Sequence, residues 1–354
     1  MSLQHGAFVI SLDFELYWGM RDETRLDAYK ANLAGVRQAI PMMLENFSRY
    51  GIHATWAIVG FIFFQDTHDL LQHLPTLKPD YRDIRLDPYR HLPDTDKNPS
   101  LIPYYYAPEL VEMVRDYAGQ EIASHSFSHY YPDEPGSSLK SFSADLDAAK
   151  EIAKRYCINF ETYVFPRQQY TSQYIEILAK NGIRSFRGDA RSGFYHCPEK
   201  HDGFYTLKRG MRLIDSAFNL TGHQSFTPGI YKTPNHALIN IPASRFFYPH
   251  CPCPALNQLR LERIMRGMTH AARKNEVFHL WWHPHNFGAH TLENIQRLER
   301  VLEHYHSLQA RYGMQSMSMQ ELAKTYPIPV IRQASNATTI NCPQHTCETN
   351  WTSI

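Results

Sequence analysis

Apolar residues along the chain follow two alternating patterns, short continuous runs and longer amphipathic stretches. Residues 7–14 (AFVISLDF) are almost entirely apolar, which is typical of a strand buried on both faces. Residues 27–51 place apolar side chains at helical spacing and end at Gly51, and glycine commonly follows the last turn of a helix. The start of the chain therefore predicts a strand followed by a helix.

The same alternation continues to residue 326. Strands are predicted at 53–60, 121–125, 161–166, 183–188, 237–244 and 277–283, and helices at 107–119, 143–157, 172–182, 255–275 and 291–312, with a last strand and helix in 314–326. Repeated strand–helix units predict parallel strands covered by helices. With roughly seven or eight such units, the expected fold is α/β, a closed or nearly closed β/α barrel rather than an open sheet.

Two long insertions interrupt this pattern, at 65–106 and 189–236. Insertions of that length in a compact domain are usually functional lids or oligomer contacts, so they leave room for a homo-oligomer. Residues 1–333 are predicted to form a single domain that carries both insertions. The polar, aperiodic tail at 334–354 is predicted to be disordered.

Composition narrows the class of protein. Apolar residues make up 43% and charged residues 20% of the 354, as in ordinary globular proteins. A net charge of +1 provides no long-range attraction to nucleic acid or to anionic membranes. The N-terminus lacks the features of a secretion signal, and no apolar stretch reaches the length of a membrane span. Because the six cysteines also lack disulfide or zinc spacing, we expect a cytoplasmic protein without stable membrane insertion.

Titratable residues stand where the predicted strands end. Asp13 and Glu15 end or follow the first strand, His125 ends the third, Arg167 follows the fourth, and His283 ends a late one. In a parallel β/α barrel the carboxyl ends of the strands form one rim, and that rim carries the active site. The sequence therefore predicts that these side chains gather on one face of the molecule.

The first strand and the segment HSFSH together predict a metal site. Side chains alternate along a strand, so Asp13 and Glu15 share a face, and burying both carboxylates requires a cation or a protonation change. His125 and His129 come within about 5–6 Å of each other if HSFSH makes a helical turn. Two imidazoles and a carboxylate form an open divalent-metal site, for which zinc is the most compatible ion and cobalt or nickel are alternatives.

A second histidine pair has the same spacing but a different predicted structure. His279 and His283 lie in a predicted strand, where four residues span roughly 13 Å. That separation is too long for one ion, so these two histidines are not expected to share a metal.

Four segments carry a resemblance to a known family. SLDFE, HSFSH, FPRQQ and HLWWHPH, in this order, resemble the motifs of the polysaccharide deacetylase family (carbohydrate esterase family 4), over about residues 7–325. The resemblance implies a distorted (β/α)7–8 barrel and a metal-dependent hydrolase that removes N- or O-acetyl groups from sugars. It is strongest at the histidine motif and moderate at the first strand and the last histidine.

The resemblance also implies residue roles. Asp13 corresponds to the general base, His125 and His129 to metal ligands, and His283 to the acid that protonates the leaving group. The family commonly has two adjacent aspartates, whereas Phe14 follows Asp13 here, so Glu15 is the predicted third metal ligand.

Further residues are candidates for orienting Asp13, stabilising an oxyanion or binding substrate. Arg167 follows a proline instead of preceding one as in the family motif, yet it is expected to orient Asp13 through a bidentate pair, with Arg187 or Asp189 as further contacts. Backbone N–H groups near Gln168 are candidates for stabilising an oxyanion. The other predicted substrate-binding residues are His285 and Trp56, although aromatic residues inside barrel strands are more often part of the core.

Three functional hypotheses follow. The leading one is a deacetylase that acts on an acetylated sugar, sugar nucleotide or glycan precursor in the synthesis of a surface polysaccharide. The second keeps the metal-dependent hydrolase but changes the substrate to a non-sugar amide or a cyclic ureide. The third is a non-catalytic carbohydrate-binding barrel, for which Phe14 would mark a lost metal site.

Overall fold

A computed structural model describes residues 3–188, 205–233 and 236–326 of the chain. Its strands are β1 (Ala7–Phe14), β2 (Ala54–Ile58), β3 (Gln120–Ser124), β4 (Thr162–Val164), β5 (Ser185–Arg187), β6 (Gly229–Lys232), β7 (Ala237–Asn240), β8 (Arg245–Phe246), β9 (Val277–Trp282) and β10 (Gln315–Ser316). The predicted strands are therefore present, with bounds that differ by a few residues.

Helices separate most of these strands. They are α1 (Leu26–Ala34), α2 (Val36–Tyr50), α3 (Thr67–Leu71), α4 (Ile102–Tyr105), α5 (Pro108–Asp116), α6 (Leu139–Arg155), α7 (Ser172–Lys180), α8 (Tyr205–Asp215), α9 (Pro254–Lys274), α10 (His285–Gly288), α11 (Thr291–Tyr312) and α12 (Met319–Lys324). Short 3₁₀ turns occupy Leu16–Gly19, Gly60–Phe63, Ile84–Leu86, Pro88–Arg90, Pro99–Leu101 and Pro166–Gln168.

The strands form one curved sheet in the order β6-β7-β5-β4-β3-β2-β1-β9-β8, with β10 also paired to β1. All pairs are parallel except β6 with β7. β7 and β8 lie near opposite ends of this order although only residues 241–244 separate them along the chain. A link that short requires the sheet to curl until its ends approach each other. The predicted α/β fold and distorted barrel are confirmed, and the hydrogen-bonded sheet is not closed.

The stretch 237–244, predicted as one strand, changes neighbours midway. Ile241 N donates to Phe186 O next to β5, whereas Ser244 N donates to His279 O on β9. Successive backbone N–H groups of a strand point to opposite edges, so the edge away from β5 pairs first with β6, over 237–240, and then with β9, and the segment is divided into β7 and β8. This division is the distortion of the barrel.

Alternation along β1 separates two apolar clusters. Phe8 and Leu12 pack among the helices in the larger cluster, whereas Ala7 and Val9 point inward, together with Ala57 and other small or branched side chains. Residues of α12 belong to the inner cluster and cover the amino ends of the strands. Apolar packing thus fills the lower interior, and the polar residues Ser11 and Asp13 lie above it at the carboxyl end of β1.

The helix predicted at 27–51 is two helices that meet at Gly35. A Cβ atom on Gly35 would lie 2.0 Å from the carbonyl oxygen of Gly288, so only glycine permits this approach. Nearby, Asn32 Nδ2 donates to the His285 carbonyl at 3.1 Å. These contacts fix the segment that follows β9 against the junction of α1 and α2.

The insertion at 65–106 packs against the loops that follow β1 and β3. Trp18 Nε1 donates to Tyr105 O at 2.7 Å, and Tyr131 N donates to the Tyr81 hydroxyl at 2.8 Å. In the second insertion, α8 and β6 are described, whereas residues 189–204 and 234–235 lie outside the described residues. The predicted disordered tail at 334–354 also lies outside them.

Two further sequence predictions concern membrane-spanning helices and the state of the cysteines. Within the described part of the chain, no helix combines the length and apolarity that crossing a membrane requires. Cys251 and Cys253 are free thiols. Cys157, however, is disulfide-bonded, which the cysteine spacing did not predict. The cytoplasmic location that partly rested on reduced cysteines stays a prediction.

Candidate active site

Glu15, His125 and His129 converge at the carboxyl end of the sheet. Glu15 Oε2 lies 3.3 Å from His125 Nε2 and 3.1 Å from His129 Nε2, and all three side chains are at least 95% buried. One donor atom from each residue lies within 4.8 Å of the others. The predicted ligands are therefore brought together, and they come from the loops after β1 and β3.

These distances fit a tetrahedral metal site. Ligands about 2.0–2.1 Å from a zinc ion at tetrahedral angles lie about 3.3–3.5 Å from one another. The outer nitrogens of both imidazoles are also engaged, since His125 Nδ1 bonds to Val164 O at 2.8 Å and His129 Nδ1 to the Tyr131 hydroxyl at 2.9 Å. Such outer contacts orient both Nε2 atoms toward the carboxylate, as in metal sites of known proteins. The three residues fit a divalent cation.

The HSFSH loop is held by a buried carboxylate on α6. Asp145 accepts hydrogen bonds from Phe127 N at 2.8 Å and from Ser128 N at 3.1 Å. Burial raises its pKa to about 6, although these hydrogen bonds act in the opposite direction. Ser126 and His129 have φ values of 64° and 60°, a left-handed conformation that L-residues adopt only when contacts hold it. Asp145 supplies such contacts.

Glu15 depends on the glycine four residues later. A Cβ atom on Gly19 would lie 2.1 Å from Glu15 Cδ and 2.2 Å from Glu15 Oε1. Burial alone would raise the pKa of Glu15, but the neighbouring imidazoles of His283, His125 and His129 hold it well below its usual value. Glu15 is therefore an ionised ligand whose position needs the space at Gly19.

Asp13 lies beside this site in a bidentate pair with Arg187, with both N–O distances at 2.6 Å. Burial acts to raise the pKa of Asp13, yet the Arg187 guanidinium lowers it below its ordinary value. Arg187 Nη1 also donates to Ser11 Oγ at 3.0 Å, and its guanidinium stacks on the Trp281 ring at 4.3 Å. Asp13 is thus an ionised carboxylate in a fixed orientation.

Arg167 was expected in that role, and this prediction is wrong. Its guanidinium pairs with Asp22 and lies 3.6 Å from Glu23 Oε1, and it stacks on the Tyr131 ring at 4.4 Å. The chain after β4 turns through φ of +55° at Arg167, which directs the side chain to the loop after β1. Arg187, a strand residue, faces the interior and reaches Asp13 instead.

Two of the backbone N–H groups near Gln168 that were expected to stabilise an oxyanion are engaged in the chain's own turn. Gln168 N donates to Phe165 O at 3.0 Å and Gln169 N donates to Pro166 O at 3.2 Å, inside the 3₁₀ turn that follows β4. Backbone N–H groups engaged in a turn are not free to bind a developing negative charge.

His283 faces both carboxylates. Its Nε2 lies 3.4 Å from Glu15 Oε1 and 3.9 Å from Asp13 Oδ2. Asn286 accepts from the Tyr29 hydroxyl at 3.0 Å and presents its amide nitrogen 3.4 Å from His283 Nδ1. A donor at Nδ1 favours the tautomer with the proton on Nε2. With 22% of its side chain exposed, His283 is the most accessible member of the group.

His285 stacks behind His283. The two rings are 5.0 Å apart and 14° from parallel, and His285 is only 2% exposed. Burial and the neighbouring His283 lower the pKa of His285 to about 3, so it is uncharged. Glu15, His283 and His285 also lie close enough to hold an ion. However, nearly parallel rings direct their nitrogens side by side rather than at one point, so the group with His125 and His129 is the better metal site. Because the His285 side chain is buried, it is not accessible to substrate, which corrects the prediction that it binds substrate.

Trp56, the other predicted substrate contact, is a core residue. It is fully buried on the helix-facing side of β2, and its Nε1 donates to Gln120 Oε1 at 3.0 Å. Trp281 and Phe246, both partly exposed and 4.8 Å apart, line the site instead. Phe246 is also 5.8 Å from the His283 ring. Strand alternation explains the difference, because Trp281 shares the inner face with His279 and His283.

His279 and His283, the second histidine pair, lie in different environments and have different partners. His279 is fully buried and bonds to Ser11 Oγ at 2.8 Å and to Pro242 O at 3.1 Å. It supports Arg187 through Ser11, whereas His283 lies at the rim. Among the described residues, neither of the groups able to hold a metal ion contains both histidines.

Comparison with solved structures supports the fold. The chain is similar to a protein of Mycobacterium smegmatis described as a polysaccharide deacetylase, with a TM-score of 0.57, 12% identity, and coverage of 94% of this chain and 96% of that one. It also resembles a 4-alpha-glucanotransferase from Thermococcus litoralis, with a TM-score of 0.54 and 11% identity over 92% of this chain and 41% of that one. An allantoinase, Puue, matches with a TM-score of 0.50 and 9% identity over 90% and 88% of the two chains.

These proteins and the present chain are similar in fold. No family model matches the sequence. No curated protein matches it either. Several structural neighbours are polysaccharide deacetylases, as the motifs suggested, but identities near a tenth establish a shared architecture rather than a shared activity. The function of this protein must therefore be inferred from the site itself.

Proposed function

We propose that this protein is a metal-dependent deacetylase that hydrolyses an N-acetyl or O-acetyl group on a sugar. The observation that carries this proposal is the convergence of Glu15, His125 and His129, at distances that match a tetrahedral metal site. Asp13 and His283 lie directly beside these ligands, so that a base and an acid flank the same point. That combination suits hydrolysis of an acyl group.

Glu15, His125 and His129 would hold the cation, with zinc as the most compatible ion because the donors are two imidazoles and a carboxylate. When bound there, a divalent cation would acidify water and polarise the acyl carbonyl.

Asp13 accepts the proton from the attacking water. The bidentate pair with Arg187 keeps its oxygens aimed in one direction, and its lowered pKa keeps it ionised at neutral pH. Ionisation is the form that a general base requires. Arg187 is a positioning residue here, since it acts on Asp13.

His283 delivers a proton to the leaving amine or alkoxide. Its Nε2 faces the carboxylates, and in the imidazolium form this nitrogen carries the proton that is transferred, which leaves a neutral imidazole. Its partial exposure places it where a substrate enters from the rim. A carboxylate base and an imidazole acid can thus act on opposite sides of one acyl carbon.

The substrate proposed is an acetylated sugar, sugar nucleotide or glycan precursor, in the synthesis of a surface polysaccharide. Partly exposed aromatic rings of Trp281 and Phe246 beside His283 suit the faces of sugar rings. A non-sugar amide or cyclic ureide is the second candidate substrate. The similarity of this fold to that of an allantoinase supports this alternative.

The test combines metal content, acetate release and variants of the full chain. We expect about one zinc, cobalt or nickel per chain, and acetate release from N-acetylhexosamine derivatives that falls about 10²–10⁴-fold in Asp13→Asn while metal content is retained. Glu15→Gln is expected to lose the metal. Asp27→Asn, on the exposed face of α1, is the matched control. Thermal melting verifies that each variant folds.

Two results would refute the deacetylase. One is acetate release that persists unchanged in Asp13→Asn or in the fully metal-depleted protein. The other is hydrolysis of allantoin or related ureides with no acetate released from any acetylated sugar, which would establish the second candidate.

A further inference from the structure

Two buried arginines near the site have no carboxylate partner in the described part of the chain. Arg260 on α9 and Arg297 on α11 are each 7% exposed. Arg260 Nε donates to Ser216 Oγ at 3.2 Å and its guanidinium lies 4.5 Å over the Tyr248 ring. Arg297 Nη1 donates to Tyr248 O at 2.9 Å. Among the residues that the structure describes, no Asp or Glu pairs with either guanidinium.

Other buried arginines of the described chain are neutralised. Arg187 pairs with Asp13, and Arg245 and Arg263 share Asp215. An unpaired buried charge destabilises a fold by several kcal/mol in general, so proteins usually supply a counter-ion. Arg260 and Arg297 are therefore an exception that needs an explanation.

Arg297 carries the clearest sign of a missing partner. Its guanidinium lies 5.2 Å over the Phe247 ring, but its Nε and Nη2 atoms are buried and make no hydrogen bond to any described residue. Burial, with the nearby Arg260 and Arg300, lowers its pKa to about 10, and the Cys251 thiol acts in the opposite direction. A guanidinium has five donors in a fixed fork, which suits two oxygens of an anion.

The pair lies on the same wall as His283. Tyr248 contacts both guanidiniums, and its ring is 4.9 Å from that of Phe246. Phe246 in turn contacts Trp281 and His283. A row of partly exposed aromatic rings thus leads from the acid side of the candidate active site to the two arginines.

We propose that Arg260 and Arg297 form a subsite for an anionic group of the substrate, a phosphate or a carboxylate attached to the sugar. This inference rests on the proposed function, and it narrows the substrate to an acidic saccharide. The sugar stacks on the aromatic row, with its acyl group at His283 and its anionic group at the guanidiniums. The cavity beside Arg260 and Tyr248 measures only about 10 Å³, room for one water molecule. Entry of a phosphate therefore requires the Tyr248 side chain to move outward.

The binding test uses the full chain and needs no activity. Inorganic phosphate, pyrophosphate and acetate are each titrated while the Tm is followed. We expect phosphate or acetate to raise the Tm of the wild type and of Arg300→Met, the control, whose exposed side chain on the same helix donates to Gln258. Arg260→Met and Arg297→Met are expected to fold with an unchanged or higher Tm, because each removes an unpaired buried charge, and to lose the response to anions.

The kinetic test compares neutral, phosphorylated and carboxylated N-acetyl sugars. The Met variants are expected to raise KM about tenfold or more for the anionic substrate alone and to leave kcat unchanged. Preference for the phosphorylated or for the carboxylated sugar identifies the anion.

Three outcomes separate the possibilities. A wild-type Tm that responds to none of the anions, or equal KM changes for neutral and anionic sugars, overturns the subsite. Anion binding that depends on Arg260 and Arg297 in a protein that releases no acetate supports the subsite and refutes the proposed deacetylase.

Discussion

Glu15 occupies the centre of the candidate site, with one oxygen directed to His125 and His129 and the other to His283. Its carboxylate fits there because residue 19 has no side chain. Individual residues that make no contact with substrate or metal therefore decide whether the ligands converge. Tyr131, whose hydroxyl contacts His129 Nδ1, is another residue that orients a predicted ligand without being a ligand itself.

Gly19→Ala tests this dependence without altering a ligand. The new methyl group would lie 2.1 Å from Glu15 Cδ, so the carboxylate must move away from the imidazoles. We expect zinc affinity to fall about 10–100-fold, the usual effect of disturbing the surroundings of metal ligands. Isothermal titration with zinc measures the change.

Gly210→Ala is the control for that substitution, because a Cβ on Gly210 meets nothing within 4 Å. It is expected to bind zinc like the wild type. Wild-type zinc affinity in a folded Gly19→Ala protein would show that Glu15 does not need this space.

At the scale of elements, α6 and the loop after β3 act as one unit. Asp145 on the helix satisfies two backbone N–H groups of HSFSH and also accepts from Ser128 Oγ at 2.5 Å. The loop can therefore adopt the left-handed residues that turn both imidazoles toward Glu15. Helix and strand provide rigidity, and the loop between them provides the ligands.

Asp145→Asn should weaken both the loop and the metal site. An amide nitrogen cannot accept from Ser128 N, which leaves a buried donor unpaired and lowers the free energy of unfolding by about 1–3 kcal/mol. We expect zinc affinity to drop by about tenfold or more. Urea denaturation and zinc titration measure the two effects.

Asp147→Asn, on the exposed side of the same helix, is the comparison and should change neither quantity. Reduced stability with unaltered zinc affinity in Asp145→Asn would limit Asp145 to a purely structural role.

At the scale of the whole molecule, a polar network crosses the upper interior of the curved sheet. It runs from Asp13 through Arg187 and Ser11 to His279, and thus joins β1, β5 and β9. Burial, with Arg187 nearby, lowers the pKa of His279 to about 3, so the imidazole is neutral and accepts at Nε2. The site is therefore coupled to the packing of these three strands across the interior of the sheet.

This coupling predicts acid sensitivity. Burial also lowers the pKa of His129 to about 4, and that of His285 to about 3. Because the unfolded chain takes up protons near pH 6.5 and the folded chain does not, stability falls as pH drops below about 6.5. Each pKa unit corresponds to about 1.4 kcal/mol, so the loss amounts to a few kcal/mol. Asp145 partly opposes this loss of stability. Its pKa is raised in the folded state, so the folded protein takes up a proton there at a higher pH than the unfolded chain does.

Urea denaturation of the metal-free protein at about pH 7.5 and about pH 5 measures this effect. His279→Asn is expected to reduce the difference between the two midpoints, whereas His68→Asn, at an exposed position, should leave it unchanged. Equal pH dependence in His279→Asn and wild type would contradict a neutral His279 in the folded state.

Much of this molecule follows from local patterns. Outside the two insertions, apolar runs and helical periods located most strands and helices to within a few residues, because those periods reflect which face of each element is buried. Alternation along β1 placed Asp13 and Glu15 on one face, and the spacing in HSFSH indicated a metal pair. The family resemblance extended this to a distorted barrel, which the structure confirms at the level of the fold.

Only the tertiary structure decided the contacts between elements. Arg187 rather than Arg167 pairs with Asp13, and Trp281 rather than Trp56 lines the site. The space at Gly19 likewise depends on the turn after β1. Local periodicity specifies the face of an element, but the register between strands and the curvature of the sheet bring distant residues together. Those are properties of the packed molecule, and no single stretch of sequence contains them.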